Sequence, residues 1–519
     1  MKKYYLIIFL FLEIISIKFY ENKNFLISQA QADEPVPGHC TLPPKLSPNI
    51  PVDMSAPNSQ VNANCLAWQE FISLNWVANA ETCEADDNQT PQNFGVALNS
   101  SPVVWETYKE TSEIFLKKAQ KPAAWCSKQN LPPQWKSKLK STLPNSKHGY
   151  KILASISKNK NNSDILNLES YEQAGANSWI TSQAKKLALY EIRVNEDEFN
   201  YINKNELYNA NTQQKIVTTQ GINLPDGSAT FSQYGKIGSI ELKASWVELP
   251  DSKTWPYFKI SKAVVRYPNN KTPQTVTVGL TGLHIIHKTK RSPQFIWATF
   301  EHVNNSPDIK NNKNNLLPWY TFYNLNCNPN SDHYHCYPNA QPPSATPQKP
   351  YFPTYPQDPY EAPIQVMRMT PISNTTVNPV ADLNKWVWNQ VIAPANKNSV
   401  FLNYQLVNVV WANSPQIIQP GAPVPLTDGN QQPSDTIVAN TTMETYFQET
   451  KSCLFCHQYA SIADVSSTKS KSKNHFILET QNILKLLQLK NYKGEEKVKG
   501  NNAKYASDYS FIFSSAQSP

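Results

Sequence analysis

The chain has 519 residues, with 48 Lys or Arg against 40 Asp or Glu, and 40% of it is hydrophobic, including 13 Trp, 25 Tyr and 20 Phe. That length accommodates two or three domains of roughly 150 residues, and the apolar and aromatic content excludes a disordered chain. A net charge of +8 is too modest for a nucleic-acid-binding protein of this size, and there is no phosphate-binding glycine loop, dinucleotide fingerprint or His-Glu-x-x-His.

At the N-terminus Lys2 and Lys3 precede an apolar run from Tyr4 to about Ile17, and Ala30-Gln31-Ala32 offers small residues for cleavage before Asp33. Glu13 interrupts the run, which falls short of the ~20 apolar residues of a membrane span. Residues 1–32 therefore read as a signal peptide, with an uncleaved anchor as the alternative, and the expected compartment is the periplasm. No later segment is long and apolar enough to cross a bilayer, so no membrane span is expected after cleavage. The first 32 residues hold four Lys and two Glu, so their removal leaves a net charge of about +6.

The body follows. In Cys65–Val77, Leu66, Phe71, Leu74 and Trp76 lie near helical spacing, and Trp105–Phe115 reads as a second helix with Trp105, Tyr108, Ile114 and Phe115 inward. From about residue 188 the period becomes two. Ile240, Leu242, Ala244 and Trp246 alternate with Glu241, Lys243 and Ser245, which predicts a half-buried strand. Val276–His287 and Gln294–Val303 predict a hairpin, and Phe401–Trp411 a further strand after a short helix near Trp386. Residues 328–363 are dense in Pro, Tyr, Asn and Gln and predict a long irregular excursion. Residues 413–436 are a second Pro- and Gln-rich stretch, expected to lead into a C-terminal segment. Six cysteines (Cys40, Cys65, Cys83, Cys126, Cys327, Cys336) are an even number in an oxidising compartment and predict disulfides. Cys327 with Cys336 is the favoured pair, because Asn-Pro-Asn-Ser-Asp can turn the chain back between them.

The remaining two cysteines carry the chemistry. Thr442–Lys451 is helix-compatible and runs into Cys453-Leu-Phe-Cys456-His457, the attachment signature of a c-type haem. On a helix the two thiols face one side, where they can bond the vinyl groups of one porphyrin, and His457 can ligate the iron from the proximal side. One covalent haem c is expected. A thioredoxin-type dithiol would want a βαβ context, and a structural zinc site a second close ligand pair; neither is present. Beyond the motif, Phe476, Thr480, Ile483, Leu484 and Leu487 form a helical apolar stripe. Residues 451–519 carry ten Lys against five Asp or Glu, a field that can steer an acidic redox partner. Lys469, Lys471 and Lys473, set among serines, read equally well as a solvated tail.

Gly-Leu-His-Ile-Ile-His-Lys-Thr (282–289), Trp-Ala-Thr-Phe-Glu-His-Val-Asn-Asn (297–305), Asn-Tyr-Gln-Leu-Val (403–407), Asn-Thr-Thr-Met-Glu-Thr-Tyr (440–446) and Ser-Asp-Tyr-Ser-Phe (507–511) resemble exported bacterial proteins termed cytochrome c family proteins. Those carry one haem motif at the C-terminal end of a long chain. The resemblance spans most of the mature sequence and departs at 465–505, where a Lys- and Ser-rich stretch is inserted. It implies haem binding and electron transfer without supplying a substrate. The expected fold is thus α+β: a β-rich sheet or sandwich body at 33–436 decorated by helices, and a small α-helical cytochrome c-like module at 437–519.

The expected function is that of a periplasmic monohaem c-type cytochrome. The alternatives are a haem-containing oxidoreductase with a substrate site in the β-rich body, and a five-coordinate haem sensor. Four polar residues on the predicted hairpin, His284, His287, Glu301 and His302, could form a second site. Strand alternation separates His284 from His287 and Glu301 from His302, so at most half can share a face. His333 and His335 beside Cys336 could bind metal, although a Pro-rich loop with a disulfide is the plainer reading. No Met follows His457, so the sixth iron position falls to His475, Met443, Met367, Met369, His284 or His302, or stays open.

Overall fold

The computed structural model describes residues 34–139, 149–153, 173–174, 178–267, 272–310, 316–328, 330, 336–342, 359–433, 437–449, 452–465 and 505–519. The expected signal segment, most of the 328–363 excursion, His333, His335, His475, the Lys469–Lys473 run and the expected Phe476–Leu487 stripe lie outside those residues.

In chain order the elements that build the site are α1 (Gln60–Leu74), β1 (Lys109–Glu110), α2 (Thr111–Ile114), α3 (Pro133–Leu139), β2 (Lys151–Ile152), β3 (Ala188–Val194), α4 (Glu196–Lys204) and α5 (Ala210–Thr219). They continue with β4 (Ile240–Glu248), β5 (Ile260–Val265), β6 (Gln274–His287), β7 (Ile296–His302), α6 (Val380–Trp386), β8 (Tyr404–Ala412), β9 (Gln431–Gln432) and α7 (Cys453–His457). The nine strands form one sheet in the order β1-β3-β4-β6-β7-β8-β9, with β5 beside the first half of β6 and β2 beside β5. Every pairing is antiparallel except β2 with β5. A single sheet with helices on it realises the β-rich body. The expected hairpin is β6–β7, in register from Gly282 opposite Glu301 to His287 opposite Ile296.

Both faces of the sheet are covered. On one, Leu242, Leu283, Ile285, Ala298, Phe300 and Val409 pack beneath Trp68, Phe71 and Ile72 of α1. The Phe71 ring lies 4.4 Å from that of Phe300. On the other, Val194, Ile286, Trp297 and Val410 pack against Phe199 and Ile202 of α4, Val217 of α5, and Leu454, Tyr509 and Phe513 of the C-terminal segment. The expectation of a half-buried strand at 240–246 is therefore corrected: β4 alternates apolar with polar, yet Glu241 and Ser245 are buried too. Their face is closed by the C-terminal segment, which supplies partners such as Thr442 for Ser245 Oγ (2.6 Å). An antiparallel sheet covered on both sides can keep polar residues inside only where such partners exist.

Two helical expectations also change. Trp105–Phe115 is broken into a 3₁₀ turn at Val104–Thr107, β1 and α2. The Glu106 carboxylate accepts from Val103 N, and the Glu110 carboxylate from Ser112 N, so each side chain caps a new start within the run. The stretch from Thr442 toward Lys451 is a series of turns rather than a helix. Asn440 Oδ1 accepts from Thr442 N, and the Glu444 carboxylate from Asn440 N, so side chains take up the donors that a helix would leave free. The helix expected from Cys65 is α1. It starts earlier, where Ser59 caps it by accepting from Asn62 N. All six expected disulfide cysteines are paired: Cys40–Cys65, Cys83–Cys126 and the predicted Cys327–Cys336. Among the described residues no helix is long and apolar enough to cross a membrane.

Candidate functional site

Cys453, Cys456 and His457 occupy α7, a five-residue helix on the sheet face that also carries Lys243, His284, Trp297 and Thr299. The helix is too short to stand alone, and its surroundings hold it. Leu454 is fully buried among Trp297, Val410 and Phe513. Leu426 N donates to Gln458 O (2.8 Å), and Ser452 Oγ to Gln431 Oε1. Residues 505–511 return alongside, with Ser507 N donating to Ala460 O (3.1 Å) and Ile462 N to Tyr505 O (3.1 Å). The motif is therefore clamped between the 413–433 loop and the chain's last segment.

The His457 ring is fixed on three sides. Its Nδ1–H donates to Tyr509 O (2.8 Å), Trp297 lies 4.3 Å away between centroids, and Phe511 4.9 Å. Tyr509 adopts φ +64° and Asp508 φ +57°, a region uncommon for bulky L-residues because Cβ crowds the backbone. The buried Asp508 carboxylate holds that bend by accepting from Leu224 N (2.7 Å) and pairing with Lys288. Burial, reinforced by the nearby positive charge of Lys243, lowers the His457 pKa to about 4 against the opposing Tyr509 carbonyl. The ring is therefore neutral near pH 7, and with Nδ1 donating, the Nε2 lone pair is available to a metal.

Cys453 and Cys456 are the two cysteines outside the disulfides. Both keep partial solvent access, as does His457, although the protein around Cys453 and His457 is dense enough that desolvation dominates their ionisation. Burial first, then the charges of Glu444 and Cys456, push the Cys453 thiol well above its ordinary range. That is the reverse of the lowered value that makes a thioredoxin-type thiol a nucleophile. Among the described residues no group of three or more His, Cys, Asp or Glu could hold a bare metal ion. A porphyrin asks less, since it brings four nitrogen ligands and needs from the protein two thiols and one or two axial groups. The residues present fit that demand.

The other candidates divide by face, as alternation requires. His287 and Glu70 of α1 form a buried pair at 2.6 Å, and Ile237 O lies 2.9 Å from the second ring nitrogen. His302 contacts Tyr257 O (2.8 Å), takes a hydrogen bond from Asn304 N (3.1 Å) and stacks on Phe258 at 4.0 Å. Neither joins α7. Glu301 shares the sheet face of His284 but is spent on Thr441 N and Oγ1 and on Arg368. Met443 is buried in an apolar cluster with Tyr190, Phe322 and Val366. Met367 and Met369 sit half-buried on a segment tied through its backbone to Asn339 and Gln448.

Sequence reasoning gave no role to Tyr509, Asp508, Lys243 or Glu444. The runs 440–446 and 507–511 stood out only through resemblance. In the structure they are the segments that bring Glu444 and the Tyr509 carbonyl to the motif. Residues 440–442 lie so close on the sheet that a Cβ at Gly282 would meet Thr442 Oγ1 at 2.7 Å and Asn440 Oδ1 at 2.8 Å. No protein-family model, no curated protein and no solved structure matches the chain.

Proposed function

We propose that this is an exported monohaem c-type cytochrome, carrying one haem c on Cys453 and Cys456 with His457 as proximal ligand and passing single electrons to a partner protein. One observation carries the reading. The two cysteines outside the three disulfides stand one helical turn apart, beside a neutral histidine whose Nδ1–H is anchored to a backbone carbonyl and whose Nε2 is left over. Bound there, haem c supplies one-electron chemistry at iron, with a potential that the axial groups, burial and nearby charge set.

The chain's own residues prepare the site. Tyr509 O fixes the His457 tautomer, Trp297 and Phe511 set the ring's plane, and Leu454 seats the helix against the sheet. Three disulfides and a leading segment with signal-peptide character support export to an oxidising compartment. The lysine surplus of the C-terminal part supports an acidic redox partner.

The test is covalent attachment. Protein produced with haem-attachment machinery and then denatured should keep haem stain on a gel and gain the mass of one porphyrin. Cys453→Ala or Cys456→Ala should weaken or abolish both signals. Two alkylatable thiols at Cys453 and Cys456 in protein so produced would end the proposal.

A further inference from the structure

Opposite the motif, the sheet presents a second set of groups. Lys243 on β4, His284 on β6 and Thr299 on β7 lie in one cross-strand row, and the next row contains Ile286 and Trp297. Trp297 is the ring on which His457 rests. With two residues along a strand spanning about 6.6 Å and neighbouring strands about 4.8 Å apart, His284 starts roughly 8 Å from Trp297 on the same face. Glu444, from the turn laid over the sheet, completes the group. Its Oε1 is 3.0 Å from His284 Nε2, and its Oε2 accepts from Asn440 N (2.8 Å). The side chains of His284 and Glu444 are 11% and 31% exposed, so both border accessible space.

We propose that His284, held by Glu444, supplies the sixth ligand to the iron of a haem c carried on Cys453, Cys456 and His457, an assignment that rests on the haem reading above. Two further observations point the same way. A metal-ligating histidine commonly donates its other ring N–H to a carboxylate, and the His284–Glu444 pair has that form, leaving Nδ1 without a hydrogen bond among the described residues. The other histidines on the sheet, His287 and His302, lie on the far face with both ring nitrogens engaged. Glu444 is fitted to its part: Asn440 N holds its second oxygen (2.8 Å) while the first meets the His284 ring (3.0 Å). A carboxylate in that position strengthens the ring's donation to iron.

The experiment uses the holoprotein and reads coordination by absorption and electron paramagnetic resonance. Wild type should be six-coordinate and low-spin without the near-infrared Met–iron band. His284→Ala should become high-spin, with haem still covalent on a denaturing gel, and added imidazole should restore the low-spin spectrum. His284→Met, closer in bulk should the alanine variant not fold, should introduce the Met–iron band. Glu444→Gln should stay low-spin with a raised midpoint potential. A high-spin wild type, a Met–iron band in wild type, or a low-spin spectrum that survives His284→Ala would overturn the assignment. Loss of covalent stain from wild type itself would instead overturn the haem reading.

Discussion

Glu106 shows how single buried charges are tolerated here. Its carboxylate lies 2.7 Å from Lys259 Nζ and 3.2 Å from Lys151 Nζ, with side-chain exposure of 1%. Burial pulls its pKa upward, but the two ammonium groups and Val103 N outweigh that and leave it at about 2. Because the folded value is depressed, the stabilisation is fully present above the unfolded value near 4.5 and is lost as pH falls toward 2. Its size is about 3 kcal/mol. Urea unfolding of wild type should show this acid limb. Glu106→Gln should flatten it and cost about 3–5 kcal/mol at pH 7, because buried Lys259 loses its carboxylate and Lys151 keeps only Glu191. An unchanged slope between pH 4.5 and 2 in the variant would contradict the assignment. The same logic explains His457, whose neutrality comes from burial beside Lys243 rather than from any feature of its own neighbours in sequence.

At the scale of elements, α4 is set against β4 by an unusual junction. Glu198 of α4 and Glu241 of β4 are both buried, 0% and 5% exposed, and face each other near Asp508, Lys288 and Ser510. Burial, and for Glu198 the neighbouring carboxylate, push Glu198 far above its ordinary value and Glu241 to about 7. The pair accordingly holds a proton between them in the fold. Raised carboxyl values reverse the sign seen at Glu106: the contribution is greatest below the unfolded value and is lost as pH rises from about 4.5 through 7. Glu198→Gln keeps the shape and a hydrogen bond without the second acid. It should raise the denaturation midpoint at pH 7 and reduce the fall in stability between pH 5 and 7.5. A variant less stable than wild type at pH 7 would show that the acid itself is needed there.

For the whole molecule, the disulfides close loops of very different length. Cys83–Cys126 closes 43 residues and Cys327–Cys336 only 9. On loop-closure entropy the first contributes about 4 kcal/mol and the second about 2.5 kcal/mol. Replacing both cysteines of each pair by Ser should therefore lower the denaturation midpoint more for Cys83 and Cys126 than for Cys327 and Cys336, with a non-reducing peptide map confirming the remaining bridges. The reverse order would mean that the longer loop is already constrained in the unfolded chain. The long α1, covering β6, β7 and β8, and the C-terminal segment on the opposite face make the sheet an interior layer. That is why β7 is buried along its entire length.

What the sequence determined by itself was chemistry confined to consecutive residues. Two thiols and an imidazole must share one helical turn to meet a single porphyrin, so the haem-holding roles proposed for Cys453, Cys456 and His457 rest on spacing alone. Period-two alternation marked β4, β6 and β7, because a strand shows its two faces in order. The turn-forming run between Cys327 and Cys336 marked that bridge for the same local reason. Only the tertiary structure could supply the rest. His284 meets Glu444 across 160 residues through the β4–β6–β7 register and the turn at 440–444. His457 is oriented from 52 residues away by a main-chain carbonyl at Tyr509. Every residue type possesses such a carbonyl, so no side-chain pattern announces it; its aim depends on a left-handed bend that the buried Asp508–Lys288 pair holds in place. Alternation could separate His284 from His287, but which of the two faces would receive the motif depended on the packing of Leu454, Tyr509 and Phe513 against Trp297, a long-range burial that local periodicity does not encode.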